Sequence, residues 1–421
     1  MFKEKRNLDY VKIKKVYTVV VVTLLFVSML PTINDSFFKP NSSTVKAGVI
    51  FVDTNPGGSN NSTIQKAIDN ATDGDIIIIN ETFCNESFTI DKEITLTNAS
   101  GVNPIIDVVG GTIQINNCSV TLENMTICNS STHLIGVLNT VENLTIRNCI
   151  INSTGSASQG IEINKVVNLT LDNNIFLFDS TGSDVSVSFN PSSNHFISKD
   201  ITITNNLFVK VGTGTTRSLK IGSVLNGLID NNMFNSTMSL WIDDTVDKNT
   251  TNLSISNNTF NTASFLVIAE TTSISGYVDD LTVKHNTFNT GGGIWFVNYS
   301  SWGSVINSDN LGTVSINFNN FMDDTCYINN SVMDYELEAD SNWWNTTSGP
   351  TYSQNQYNQS TQGARILGDG DVDFFMWLNG PYPGGSPFMP VMQPSSFTAT
   401  VVNSSAVNLT RSEERRVGKE C

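Results

Sequence analysis

Between residues 120 and 321 the apolar and polar positions recur in one eight-residue pattern. It reads VTLENMTI from Val120, LTIRNCII from Leu144, LTLDNNIF from Leu169 and ITITNNLF from Ile201. GLIDNNMF from Gly227, LSISNNTF from Leu253, LTVKHNTF from Leu281 and VSINFNNF from Val314 continue it. Positions one and three are apolar and position two is mostly Thr or Ser, the alternation of a strand with one buried face. Positions five and six are Asn in most copies. Asn tolerates the left-handed backbone of a sharp turn, and at a repeated level it can stack amide on amide. Position eight, Ile at first and Phe from Phe176 onward, is expected to point back inside and stack on its neighbour. The copies lie 24 to 33 residues apart, the range of stacked repeats. That is too short for a β-α-β unit and for a propeller blade of about 40 residues. Each octet therefore predicts one coil of a right-handed parallel β-helix.

The chain before the octets fits the same solid. Residues 51–53 read as a short strand, and TIQKAIDNA from Thr63 places Ile64, Ala67, Ile68 and Ala71 at helical spacing. Such a helix would cover the open end of the solenoid, where the first coil exposes an apolar face and a strand edge. The expected class is all-β with one N-terminal capping helix.

Composition changes the picture at both ends. Lys3, Lys5, Arg6, Lys12, Lys14 and Lys15 precede an apolar run over residues 16–30. This fits a secretory signal peptide or, lacking a clear cleavage site, an N-terminal membrane anchor with its basic flank in the cytoplasm. Residues 411–421 pack seven charges into eleven positions after an almost uncharged stretch. They resemble translated adaptor sequence and are set apart as a non-native tail. The 421 residues carry a net charge of -16; without the two ends, which hold ten basic and five acidic residues, the body is near -21. That balance excludes a general nucleic-acid binder, which needs clustered Lys and Arg. Asn is roughly one residue in eight, far above ordinary usage, and with abundant Ser and Thr it disfavours helices. Cys84, Cys118, Cys128, Cys149 and Cys326 have neither disulfide nor zinc spacing and read as thiols stacked in a core.

The stretch 51–98, with TIQKAIDNATDGDIIII and FTIDKEITL, resembles the opening of the pectate-lyase-like β-helix superfamily. Within it the similarity is to NosD-like and adhesin-like surface proteins of methanogenic archaea. SNWWNTTSGP from Ser341 is similar to the Asn-Trp-Trp…Gly-Pro signature that closes such solenoids. FTATVVNSSAVNLT from Phe397 resembles the first two strands of a fibronectin type III domain, too short to close a sandwich of about 100 residues. The expected organisation is a signal peptide or anchor over 1–30, a linker over 31–48 and the parallel β-helix over 49–350. A C-terminal cap and linker follow over 351–393, with GPYPGGSPFMP from Gly380 as linker. A truncated fibronectin type III start occupies 394–410, and the tail 411–421.

Candidate chemistry is sparse. The body holds three Arg (Arg147, Arg217, Arg365) and three His (His133, His195, His285). Asp243 and Asp244, with Arg217, faintly resemble the paired aspartates and Arg-x-Lys of polygalacturonase-like hydrolases. Adjacent strand residues point to opposite faces, which is poor geometry for joint acid–base work, and a surface turn is the simpler reading. Asp369, Asp371 and Asp373 have the spacing that opens a calcium loop, without its Gly and distant Glu, so Ca²⁺ stands against an exposed acidic turn. Trp343 and Trp344 either plug the end of the solenoid or stack on sugars, the terminal position favouring the plug. Trp295, Tyr299 and Trp302, with Phe296, form an aromatic cluster of unassigned exposure. Asn-x-Ser/Thr recurs about two dozen times, so an exported chain is expected to be glycosylated. The expected function is a non-catalytic, adhesin-like module at the cell surface, presenting a stiff face to an extracellular glycan or surface protein. Inserted turns over 181–198 and 300–311 would add contacts. A carbohydrate-active lyase, hydrolase or epimerase and a NosD-like periplasmic accessory protein are the alternatives.

Overall fold

The computed structural model describes residues 47–411, apart from 54–60, 154–158, 179–184, 190–196, 212–216, 245–248, 262, 271–276, 298–308, 310, 333, 353–362, 389–396 and 404–405. The leader or anchor, most of the first linker, both inserted turns in large part, His195, Tyr299, Trp302 and the tail beyond Arg411 lie outside the described residues.

The chain is a parallel β-helix. Every strand pairing within the solenoid is parallel and joins one coil to the next. Three faces run along it. The octet's first half lies on the first face, where Leu144, Leu169, Ile201, Gly227 and Leu253 stand in register. Its last two residues form the short strands of the second face, which align Phe176 with Phe208, Phe234, Phe260, Phe288 and Phe321. Longer, less regular strands such as Arg217–Ile221, Met238–Asp244 and Phe265–Glu270 form the third.

The two asparagines between the first and second faces do different work. Position five takes the left-handed conformation, with φ from 53° to 61° from Asn124 to Phe318. Position six is buried from Asn174 through Asn206, Asn232, Asn258, Asn286 and Asn319. The Asn232 Nδ2 donates to the Asn258 Oδ1 at 3.0 Å and to the Ile203 carbonyl at 2.8 Å. Its own Oδ1 accepts the backbone N–H and the Nδ2 of Asn206 at 2.9 and 3.0 Å. Each amide thus ties three coils together. Asn342 continues this rank, and LEADSNWW from Leu337 is a ninth octet, with Ser341 at the left-handed position. At the other end Cys149 replaces Asn: its backbone N–H donates to the Asn174 Oδ1 and its thiol, in place of an amide, to the Leu122 carbonyl.

Beneath the turn the aromatic rings stack as expected. Phe176, Phe208, Phe234, Phe260, Phe288 and Phe321 follow one another with centroids 4.7 to 5.1 Å apart and nearly parallel planes. Trp344 closes the column 4.9 Å from Phe321 and is fully buried.

Both ends are covered. The helix Ile64–Asn70 buries Ile64, Ala67 and Ile68. The Thr63 hydroxyl accepts from the Lys66 N–H, and the Glu86 carboxylate accepts the Ile64 and Gln65 N–H groups. The Lys92 ammonium donates to the Ile68, Asp69 and Ala71 carbonyls, so opposite charges sit where the helix dipole favours them. At the far end Arg365–Leu367 and Val372–Asp373 add two parallel pairings. The stretch expected as a linker packs back instead. Trp377 is buried and donates its indole N–H to the Thr347 carbonyl. Tyr382 stacks on His285 at 4.2 Å, and its backbone is held at both polar groups by the Asn320 side chain. The strands Phe397–Asn403 and Ala406–Arg411 form an antiparallel pair. Cys84, Cys118, Cys149 and Cys326 are buried free thiols; burial pushes Cys84, Cys118 and Cys149 up to about 11. Cys128 is half-buried on the second face.

Candidate functional site

The outward positions of the first face are mostly Thr and Ser. The third face departs from this. On the strand Met238–Asp244, Leu240 and Ile242 join the interior, so alternation turns Trp241 outward. In register with Trp241 on later coils stand Val267, Trp295 and Asn329, and on the earlier coil Lys220. Trp241 and Val267 are buried beneath Met238, Phe265 and Trp295, which are half-buried, in a cluster separate from the core. The Arg217 guanidinium carbon lies 4.3 Å from the centre of the Trp241 ring, within cation–π range.

Three rings complete the patch. Phe265 lies 4.4 Å from Trp295 and 5.5 Å from Tyr327, and Trp295 lies 5.7 Å from Tyr327. Phe265 and Tyr327 belong to coils two apart, with Gly293 between them in the register. Two coils would separate side chains by about 10 Å; the rings close this gap because Gly293 has none, and a β-carbon there would meet the Tyr327 carbonyl. Burial raises the Tyr327 phenol above its usual range.

The residues singled out by sequence are distributed unevenly over this geometry. Trp295 and Arg217 belong to the patch. Asp243 and Asp244 lie in strand backbone, in register with Ala269 and Glu270, and not in a turn. Arg217 is level with Met238, so five residues, about 16 Å, separate it from Asp243 along the strand. Arg147 pairs with Glu123 at 2.5 Å on the solvent face. Trp344 ends the aromatic column, while Trp343 is half-buried beside Asn320. Asp369, Asp371 and Asp373 are exposed and alternate with buried Gly370 and Val372, as at the rim of a sheet. Among the described residues no group of three His, Cys, Asp or Glu side chains is placed to hold a metal ion. Phe265, Tyr327 and Gly293 were not legible as site residues, because the third-face strands carry no repeated grammar.

A shallow groove of about 440 Å³ lies on the first face between Thr170, Thr202, Leu228 and the exposed turn residues Asn168, Asp200, Asn226 and Asn252. These form a rank in which each amide donates to the previous coil, Asn168 to Asn143, Asn226 to Asp200 and Asn252 to Asn226. Asp200, a carboxylate, has no amide to donate to Asn168. Comparisons of the chain with protein-family models, with curated proteins and with solved structures find no match. The fold and the geometry of these surfaces are therefore the basis for a functional reading.

Proposed function

We propose that the protein is an exported, adhesin-like β-helix of the cell surface that binds an extracellular glycan, or a glycan-bearing protein, without catalysis. The observation that carries this reading is the aromatic patch of the third face. The half-buried Trp295 ring offers an apolar face, and Tyr327 beside it a ring with a polar tip, which together suit a sugar with an apolar face and polar edges. The buried Trp241 and Val267 beneath hold these rings in place, which reduces the ordering cost of binding. The basic segment with its apolar run at the N-terminus supports export, and the frequent Asn-x-Ser/Thr triplets support a glycosylated surface. Membership of the pectate-lyase-like superfamily, in its NosD-like and adhesin-like branch, and a truncated fibronectin type III start at 394–410 belong to the same proposal.

The test is a glycan array probed with the whole chain beside Trp295→Ala. Wild-type protein is expected to select a small set of glycans, with at least tenfold weaker binding by the variant. Uniform silence, or equal binding by both, would defeat the reading. Turnover of an acidic polysaccharide that Asp243→Ala abolishes would favour an enzyme instead.

A further inference from the structure

The outward side of the second face carries a feature that neither the repeat nor the third-face patch uses. Position seven of the octet points to solvent there. From Phe83 through Ile105, Ile150, Ile175 and Leu207 to Met233 the aligned residues are apolar, with Thr126 the one polar step. Phe83 is 54% exposed, Ile105 40%, Ile175 37% and Met233 44%. Leu177 and Val209, half-buried, widen the middle in the neighbouring row. Beyond Met233 the row becomes Thr259 and Thr287. The stripe runs unbroken in register over six coil steps, about 29 Å, and in these two rows bears one charged residue, Asp107.

We propose that this stripe is the contact between two copies of the chain, packed face to face about a two-fold axis through Ile150. A two-fold interface must be complementary to itself. Rotation about Ile150 lays Phe83 on Met233, Ile105 on Leu207, and Thr126 on Ile175, so apolar meets apolar over almost the whole length. The exposed apolar area is on the order of 400–500 Å² per copy, in the range of the largest patch of a monomer, which is often functional. Two copies bury close to 1,000 Å², the lower end for a specific association. A flat, rigid sheet face is best matched by another, as in aligned sheet packing. The body's negative charge opposes the pairing, so the dimer is weak and is strengthened by salt, which screens the repulsion.

The experiment is cross-linking of the whole chain by a short bismaleimide. Ile150→Cys and Thr287→Cys are each made in a Cys128→Ser, Cys421→Ser background, because Cys128 is the half-buried thiol of this face and Cys421, the chain's last residue, carries a further thiol. The Ile150→Cys chain is expected to give at least tenfold more dimer than the Thr287→Cys chain, and more as salt rises. Adding Met233→Asp, at an exposed position that leaves the core untouched, is expected to remove that dimer; adding Thr259→Asp, one coil past the stripe, is expected to retain it. Equal cross-linking at 150 and 287, none at either, capture of a different chain by position 150, or persistence of the dimer with Met233→Asp would each overturn the proposal.

Discussion

Two ranks of asparagine run side by side along this solenoid, one residue apart in sequence, and they do opposite things. Asn231 is exposed, holds a left-handed backbone and donates one surface hydrogen bond to Asn205. Asn232 is buried, and its side chain completes the hydrogen bonding of three coils. The outer rank answers a need of backbone conformation, which glycine would also meet. The inner rank answers a need for buried donors and acceptors, which no apolar residue meets. A composition rich in Asn thus conceals two separate requirements.

The comparison can be broken most sharply at the inner rank. Asn232→Ala leaves the Asn206 N–H and Nδ2 and the Ile203 carbonyl without their partner; at about 1–3 kcal/mol for each stranded group, denaturant unfolding should show a loss of about 4 kcal/mol. Asn232→Gly should be no better. At the outer rank Asn231→Ala should lose only about 1 kcal/mol, from placing an ordinary residue in the left-handed region. Asn231→Gly should be close to neutral. If glycine rescues position 232 and not 231, the division of labour is wrong.

The two ends offer a comparison in pH. Near the capping helix, the Thr72 backbone N–H, with help from the Gly48 N–H, the Thr72 hydroxyl and the Lys92 charge, holds Asp75 below its usual range against the opposing effect of burial. Its contribution is present above the unfolded value of about 4 and is lost as pH falls through the folded value. Asp75→Asn should therefore destabilise at neutral pH and flatten the acid limb of the stability profile. At the far end burial, then Asp373 and Glu338, push Asp340 up. A raised carboxyl favours the fold when protonated, and that advantage is lost as pH rises from about 4 through the folded value. Asp340→Asn should stabilise at neutral pH and make no difference in acid. Thermal unfolding at several pH values separates the two signs. The smallest effect is expected in the first-face groove, where Asp200→Asn restores the missing donor toward Asn168 and should raise stability by about 0.5 kcal/mol.

Much of the scaffold was legible in the octet itself. Alternation fixed the strands, Asn at position five the turn, and Phe at position eight the stacked column. Its ninth copy was obscured because Ser341 and Trp344 replace Asn and Phe, although they fill the same places. The linker expected from GPYPGG packs back because Asn320 and His285, distant in sequence, hold Tyr382. The site was far less legible. Trp241, Phe265, Trp295 and Tyr327 meet through coil register and the absence of a side chain at Gly293, and neither leaves a local pattern. Asp243 and Asp244 attracted notice because chemistry is read from residue type, while their separation from Arg217 depends on pairing.

Amide hydrogen exchange at position six tests the central claim, a continuous buried rank tying the coils from Asn174 to Asn342 to their neighbours, most directly. Each of these backbone N–H groups, from Asn174 to Asn319, donates to the next amide at 2.8 to 3.0 Å inside the solenoid. The account predicts that all six exchange only with global unfolding, as slowly as the first-face strands. Exchange at the pace of exposed turns, or protection broken partway along the rank, would contradict it.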